Sequence, residues 1–540
     1  MKALKGTGVS AGIAIGAIHV VDAVDHEIER RVVDDPKAEV ERFHKAQQTA
    51  VEQLKALRDK TAKEFGEGKA ELFDAHQLML EDPDYVDSVV GLITSSHVNA
   101  EFAVNSTAEQ FAAMFAEMSS SYMQARAADV KDVSKRVISV LEGRETADGA
   151  QAQTRHIIWA EDLSPSETVQ MDRSLVLGFV TAKGSTNSHT AILARTMGIP
   201  AIIGIGESFS ADDDGLTAVI DGSAGTIFID PDEKTLKEYQ DRKADYEHRM
   251  SLLQQLKGKP TVTKSGQTVR LYANIGRPSD VTSVLANDAE GVGLFRSEFL
   301  YLESEDFPTE EFQFNAYREV AQRMGDRLVV IRTLDIGADK QVGYFGLEHE
   351  ANPALGYRAI RICLTKPEIF KVQLRALLRA SAFGNIAIML PMITSVAEVH
   401  DAKMIIEEVK DELRAEKVAF NENVQVGIMI ETPASVIMAD ELAAEVDFFS
   451  IGTNDLTQYT LACDRQNSNL GRFADPHSPA VLRMIRMATE AAHRHDIWCG
   501  ICGELGADLS LTDEFLDIGL DELSVSPASI LPLREAIRKH

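Results

Sequence analysis

From about Pro260 onward the chain alternates short apolar runs with helical patterns. Eight of the runs have strand character: "VRLYANI", "GVGLFRS", "RLVVIRTLD", "IAIMLPM", "VQVGIMIE", "DFFSIGTND", "IWCGIC" and "ELSVSP". Helical spacing lies between most of them, as in residues 396–415 and 479–494. Eight strand–helix units over roughly 280 residues is the count of a (β/α)₈ TIM barrel, whose chemistry sits where the strands end, at the C-terminal mouth. No other feature constrains the chain as much, because a closed parallel sheet decides which residues face one another.

The expected strand ends carry Arg296 and Glu298, Arg332 and Asp335, Glu431, Asn454 and Asp455, and Cys502, with Arg358 and Arg465 just beyond strand ends. Taken singly, Arg358 or Arg465 reads best as half of a structural ion pair. Four arginines converging with two carboxylates read instead as a site for a doubly anionic phosphate ester, because guanidinium forks match phosphate and carboxylate oxygens in pairs. Mg²⁺ takes one or two protein carboxylates plus substrate oxygens, and Glu431 with Asp455 is the expected pair. Two such ligands leave the metal open to substrate.

"WCGIC" resembles a redox C-x-x-C at first sight. Strand side chains alternate faces, so Cys499 and Cys502, three apart, point to opposite sides while the strand lasts. They cannot then meet disulfide geometry. Only 38 residues follow Cys502, too few for the sheet that a thioredoxin-type domain needs. A thiol at the barrel mouth, with an ordinary pKa of about 8.5, is mostly protonated at neutral pH and can give a proton to carbon. Cys499 reads as a buried barrel cysteine. Four cysteines in 540 residues fit a reducing compartment.

Upstream, residues 35–143 are rich in Ala, Glu, Gln, Lys and Leu. In "AELFDAHQLMLEDPDY", Leu72, Ala75, His76, Met79 and Leu80 can share a helical face. This is a helical bundle. The runs "HIIWA", "SLVLGFVT", "PAIIGI", "TAVIDG" and "GTIFID" that follow describe a small α/β domain. The opening strands within residues 1–20 have no partners in a bundle, so they are expected to join that sheet, with the bundle inserted between. The expected domains are 1–22 with 145–231 for the α/β domain, 23–144 for the bundle, 232–258 for an exposed linker helix and 259–540 for the barrel.

The N-terminal run "MKALKGTGVSAGIAIGAIHVVD" is broken by Gly12 and Gly16 and has no clear cleavage site, so it is read as strand–turn–strand in a cytoplasmic protein. No run is long and apolar enough to span a bilayer. With 55 basic against 84 acidic residues the net charge is −29, a field that repels nucleic acid and anionic lipid.

In "TAKGSTNSHTAILARTMGIPAIIG" a strand ends near Thr181, and Asn187 or Ser188 can cap a short helix that Gly198 and Pro200 stop. His189 falls in its first turn. There the helix dipole disfavours imidazolium, and free N–H groups suit a phosphoryl group. Sequence physics leaves two readings open: a phosphate-accepting nucleophile, or a polar first-turn residue.

The set "GSTNSHTAILAR", "GVGLFRSEFLYL", "RTLDIGADK", "NPALGYRAIR", "GIMIETPAS", "FFSIGTNDLTQYTLACDR" and "CGICGE" resembles the phosphoenolpyruvate-utilising enzymes. It is most similar to the phosphoenolpyruvate–protein phosphotransferases of the bacterial sugar phosphotransferase system, over nearly the whole chain. The resemblance implies a swivelling phosphohistidine α/β domain with an inserted bundle, then the barrel. It implies that the phosphoryl group of phosphoenolpyruvate passes to His189 and then to a histidine of the phosphocarrier HPr, releasing pyruvate. Arg296, Arg332, Arg465, Asn454 and Asp455, with Arg358 beside them, would hold substrate. Glu431 and Asp455 would bind Mg²⁺, Cys502 would donate the proton, and Thr168 would steady the His189 ring. HPr would dock on the bundle through His76, Leu78, Met79, Asp82 and Asp84, and the enzyme would be a homodimer through the barrel. Relatives often carry a second glycine and an arginine where this loop has Ser185 and Thr186. Dikinases and synthases that share the histidine loop also need a nucleotide-binding domain, for which this chain has no P-loop and no room. A regulatory protein without turnover is the remaining rival, and the complete set of site residues argues against it.

Overall fold

The computed structural model describes residues 1–21, 28–65, 67–116, 121–143, 155–163, 171, 174–184, 190–191, 194, 198–206, 210–302, 304, 306–337, 342–464, 467, 470 and 472–540; for 63–65, 67–72, 116, 121–125 and 211 it describes the backbone alone. The chain forms two compact units, Met1–Arg249 and Met250–His540.

In the first unit, β1 (Lys2–Lys5), β2 (Thr7–Ser10) and β3 (Ile13–Val21) join β4 (His156–Ala160), β5 (Val176–Thr181), β6 (Ala201–Ile203), β7 (Thr217–Asp221) and β8 (Thr226–Ile229) in one sheet of order β1-β8-β7-β3-β4-β5-β6-β2. The opening strands therefore find their partners in the later segment, as the sequence implies. β3 lies between β7, antiparallel, and β4, parallel. Ile18, Ile157, Trp159, Val180 and Ile220 fill one side of the sheet. Ile158, Ala160, Phe179 and Ala201 form a second cluster from the alternate positions, so the central strands are apolar on both faces.

Between β3 and β4 run five helices: α1 (Pro36–Phe65), α2 (Glu67–Glu81), α3 (Pro83–Ser96), α4 (Ala100–Ala116) and α5 (Ser121–Leu141). Phe43, Leu54, Phe73, Leu80, Val89 and Val137 form their common core. Asp82 caps α3: its Oδ1 accepts the Asp84 N–H at 2.8 Å, with Pro83 at the first helical position, where the missing N–H costs nothing. The charged connector is the helix α6 (Glu233–Gln254).

The second unit is a closed barrel of eight parallel strands. They are β9 (Arg270–Ile275), β10 (Gly291–Arg296), β11 (Val329–Arg332), β12 (Ile386–Leu390), β13 (Gln425–Ile430), β14 (Phe448–Ile451), β15 (Trp498–Ile501) and β16 (Glu522–Val525). β16 pairs with β9 and closes the ring. Outward residues such as Val292, Ile331, Ile388 and Ile501 pack under the surrounding helices. Inward ones, Leu294, Val330, Met389, Met429 and Phe448 among them, form a separate inner cluster that includes Cys502. Cys499 lies on the outer side, where its sulfur accepts the Thr489 hydroxyl proton at 3.6 Å. All four cysteines are free thiols, so the paired-cysteine motif holds no disulfide. Among the described residues, no helix is long and apolar enough to cross a membrane.

Candidate active site

A cavity of about 670 Å³ opens at the C-terminal ends of the barrel strands, lined by Arg296, Arg332, Glu431, Asn454, Asp455 and Cys502 among others. Register accounts for the convergence. Arg296 and Arg332 end adjacent strands as direct partners. Glu431 follows β13 directly, and Cys502 follows β15. Asn454 and Asp455 open the helix Thr453–Leu461 that leaves β14, so both sit in its first turn.

The acids and arginines interlock beneath the cavity. Arg332 Nη2 donates to Glu298 Oε1 at 2.5 Å and reaches Asp335 Oδ2 at 2.9 Å. Burial works against the Arg332 charge, but Asp335, Glu298 and Glu431 outweigh it and keep the guanidinium firmly ionised. Arg358 Nη2 donates to Asp335 Oδ1 at 2.7 Å and lies 3.5 Å from Asp455 Oδ2. Arg358 is fully buried behind these acids and is not part of the cavity wall. In this structure its guanidinium is paired with Asp335.

Glu431 is buried, and its Oε1 accepts the Met392 N–H at 2.6 Å. Met392 holds a φ of 57°, a conformation that costs a non-glycine residue energy and is kept where the surroundings demand it. Burial first, then the nearby Asp455 and Asp335 carboxylates, raise the Glu431 pKa, against the pull of Arg332 and Arg358. A carboxyl so opposed to its own charge beside a second acid is a place where a cation would offset repulsion. The Glu431–Asp455 pair thus fits a divalent ion that completes its shell with substrate oxygens. Among the described residues no cluster of three or more ligand side chains exists that could hold a metal by itself.

Cys502 faces the cavity, its thiol donating to Ile451 O at 3.6 Å. Burial pushes the thiol up to about 12, with Ser450 and Arg332 pulling down and Glu522 and Glu431 pushing up. It is a protonated acid, not a nucleophilic thiolate.

His189, Arg465 and Thr168 lie outside the described residues, as do Asn187 and Ser188. Thr190, Ala191 and Ala194, next to His189, are helical and buried, and Gly198 has a φ of 66°. In the bundle, Leu78 is 69 % exposed and Asp84 is exposed, Met79 is half-buried, and Asp82 is exposed but engaged in its cap. His76 differs from its expected role. Its ring is fully buried, Nε2 lying 3.3 Å from Asp129 Oδ1 and Nδ1 3.8 Å from Asp132 Oδ2. A ring enclosed within the bundle presents no surface to a partner. Sequence reasoning did not single out His477, whose Nε2 lies 2.7 Å from Asp508 Oδ2 on the cavity rim. Both lie in loops, where periodicity gives no signal.

Three family models match the chain. They are described as the PEP-binding domain (residues 250–540), the N-terminal region (5–126) and the mobile domain (152–225) of PEP-utilising enzymes. Among curated relatives, the phosphoenolpyruvate-protein phosphotransferase of Bacillus subtilis is 46 % identical over 539 residues, covering 100 % of this chain and 95 % of the relative. Those of Priestia megaterium and Listeria monocytogenes are each 44 % identical over 538 residues, covering 100 % of this chain and 94 % of each relative. The chain belongs to the PEP-utilising enzymes and, within them, to the phosphoenolpyruvate–protein phosphotransferase family.

Proposed function

We propose that this chain transfers the phosphoryl group of phosphoenolpyruvate to His189 and from there to the phosphocarrier HPr, releasing pyruvate. The observation that carries this reading is the meeting of Arg296, Arg332, Glu431, Asn454, Asp455 and Cys502 around one cavity. Together they supply cationic forks for a phosphate and a carboxylate, a two-carboxylate seat for a metal, and a protonated acid for carbon.

Arg296 and Arg332, joined by Arg465, hold the substrate's phosphate and carboxylate oxygens. Asn454 contributes a polar contact to phosphate from the first helical turn. Asp335 and Glu298 keep Arg332 aimed, and Arg358 in turn orients Asp335 and Asp455. Glu431 and Asp455 would hold Mg²⁺, which would supply positive charge to offset that of the substrate's oxygens. His189 attacks phosphorus in line with the departing enolate oxygen, so catalysis is chiefly positioning and electrostatics. Cys502 then protonates C3 to give pyruvate. Leu78, Met79, Asp82 and Asp84 would meet HPr on the bundle. Homodimerisation through the barrel and a cytoplasmic location belong to the same reading.

Incubation with phosphoenolpyruvate labelled on phosphorus, with Mg²⁺ and no nucleotide, tests it. Acid-labile, base-stable label on His189 that moves to added HPr is the expected result. Full labelling of His189→Ala would refute it.

A further inference from the structure

The inner face of the barrel is divided. Along β10 to β13 it is apolar: Leu294, Val330, Ala387, Met389 and Met429 are all buried. On the other half, Ser450 of β14, Gly500 of β15, Glu522 of β16 and Arg270 of β9 stand in one register row across four adjacent strands. Gly500 lies two residues before Cys502 in chain order, so this row is the layer directly beneath the thiol.

Glu522 is the anomaly in that row. It is 1 % exposed, and neither carboxyl oxygen closes a hydrogen bond among the described residues. A Cβ added to Gly500 would fall on Oε2, and one added to Gly293 would crowd Oε1. The carboxyl group therefore fills the space that two glycines leave, and Gly500, over which Oε2 lies, is the register partner of Ser450. The Ser450 hydroxyl is likewise buried without a closed hydrogen bond, and it is the side chain that meets the Cys502 thiol. At the other end of the row Arg270 is exposed, with its guanidinium 5.6 Å from the Trp498 ring centre. An acid, a hydroxyl and a thiol thus line up inside the barrel, beginning next to a solvent-facing cation.

We propose that Glu522 returns to Cys502 the proton that the thiol gives to carbon, by way of the Ser450 hydroxyl. This rests on the phosphotransfer reading above. In the step concerned, the Sγ–H bond breaks as a C3–H bond of pyruvate forms, leaving a thiolate. Ser450 passes its hydroxyl proton to sulfur and takes the carboxyl proton of Glu522. Glu522 remains as a carboxylate facing Arg270, and water at the base of the barrel supplies the replacement proton. The balance closes with no further reactant. A thiolate whose acid has been pushed up to about 12 is a strong base and calls for a proton. Burial, aided by Asp521 and opposed by Arg270 and Ser524, raises Glu522 well above the ordinary carboxylate range, which keeps its proton available. Tyr272, Cys499 and Cys502 are the other titratable groups that sense the Glu522 charge. Glu522 touches no substrate atom and acts only through Cys502.

The test separates carbon exchange from hydrogen exchange. The whole chain, with Mg²⁺, phosphoenolpyruvate and carbon-labelled pyruvate, is equilibrated in D₂O. Movement of carbon label counts passages through the reaction. Deuterium in the methyl group counts exchanges of the Cys502 proton with solvent. In Glu522→Gln and in Ser450→Ala, deuterium gained per carbon exchange is expected to fall about ten-fold or more. An unchanged ratio in both variants overturns the relay. A partly folded preparation lowers both counts equally and leaves the ratio intact, and if one variant is inactive the other decides. Absence of carbon exchange in the unaltered chain would instead refute the phosphotransfer reading itself.

Discussion

Arg358 Nη2 meets Asp335 Oδ1 at 2.7 Å, and both side chains are only 2 % exposed. The other oxygen of the same carboxylate lies 2.9 Å from Arg332. One aspartate therefore bridges two buried guanidinium groups at the cavity, with Glu298 and Asp455 sharing the charge balance. Asp335→Ala takes one acid from each, leaving Arg332 with Glu298 and Arg358 with the more distant Asp455 in a site that burial already makes costly for charge. The expected loss is about 3–5 kcal/mol of folding stability, measured by urea unfolding. Asp335→Asn, which keeps the shape, is expected to lose less.

Cys502 is expected to resist alkylation. Burial pushes its pKa up to about 12, so the thiolate fraction at pH 8 is lower than for an exposed thiol by a factor on the order of a thousand. The sign follows from the raised value: the neutral form persists well above the pH at which a free thiol ionises. Turnover of the unaltered protein should show no alkaline limb from this group between pH 7 and about pH 10. Mass mapping of iodoacetamide adducts at pH 8 checks the first point; rapid modification of Cys502 would contradict it.

Glu431→Gln removes a buried charge that neighbouring acids oppose, while the amide oxygen can still accept from Met392 N–H. The melting temperature of the metal-free protein should stay level or rise. The response of turnover to added Mg²⁺ should disappear, since stability and function compete at such sites. A fall in melting temperature with normal metal response would reverse the assignment.

The bundle offers a contrast between two neighbouring side chains. Leu78→Glu, on the surface, should raise the KM for HPr while leaving labelling of the chain by phosphoenolpyruvate unchanged. His76→Ala, in the interior beside Asp129 and Asp132, should cost about 1–3 kcal/mol of bundle stability by leaving acids without their partner. If His76→Ala affected HPr alone, the buried ring would have been misjudged.

The barrel was legible because its evidence is periodic. Eight apolar runs alternating with helical patterns match a closed barrel, and closure then brings Arg296, Arg332, Glu431, Asp455 and Cys502 to one mouth. The opposite facing of Cys499 and Cys502 followed from strand alternation alone. What stayed hidden was pairing across the ring. Nothing in "NPALGYRAIR" says that Arg358 will be spent on Asp335, because ion-pair partners depend on loop paths. Glu522 was in plain view as the first residue of "ELSVSP", yet an acid opening a strand reads as an end residue until the ring shows it enclosed. His76 teaches the converse. Its helical spacing already placed it on the apolar stripe with Met79 and Leu80, and that physical reading holds over the docking role drawn from resemblance.

β3 and β4 are adjacent and parallel, so the whole five-helix bundle occupies the position of a single crossover between neighbouring strands. A crossover of any size that meets the same two strand ends leaves the ladder untouched. If a carrier docks on the bundle as proposed, its recognition can be rewritten by exchanging that excursion while the sheet is inherited unaltered.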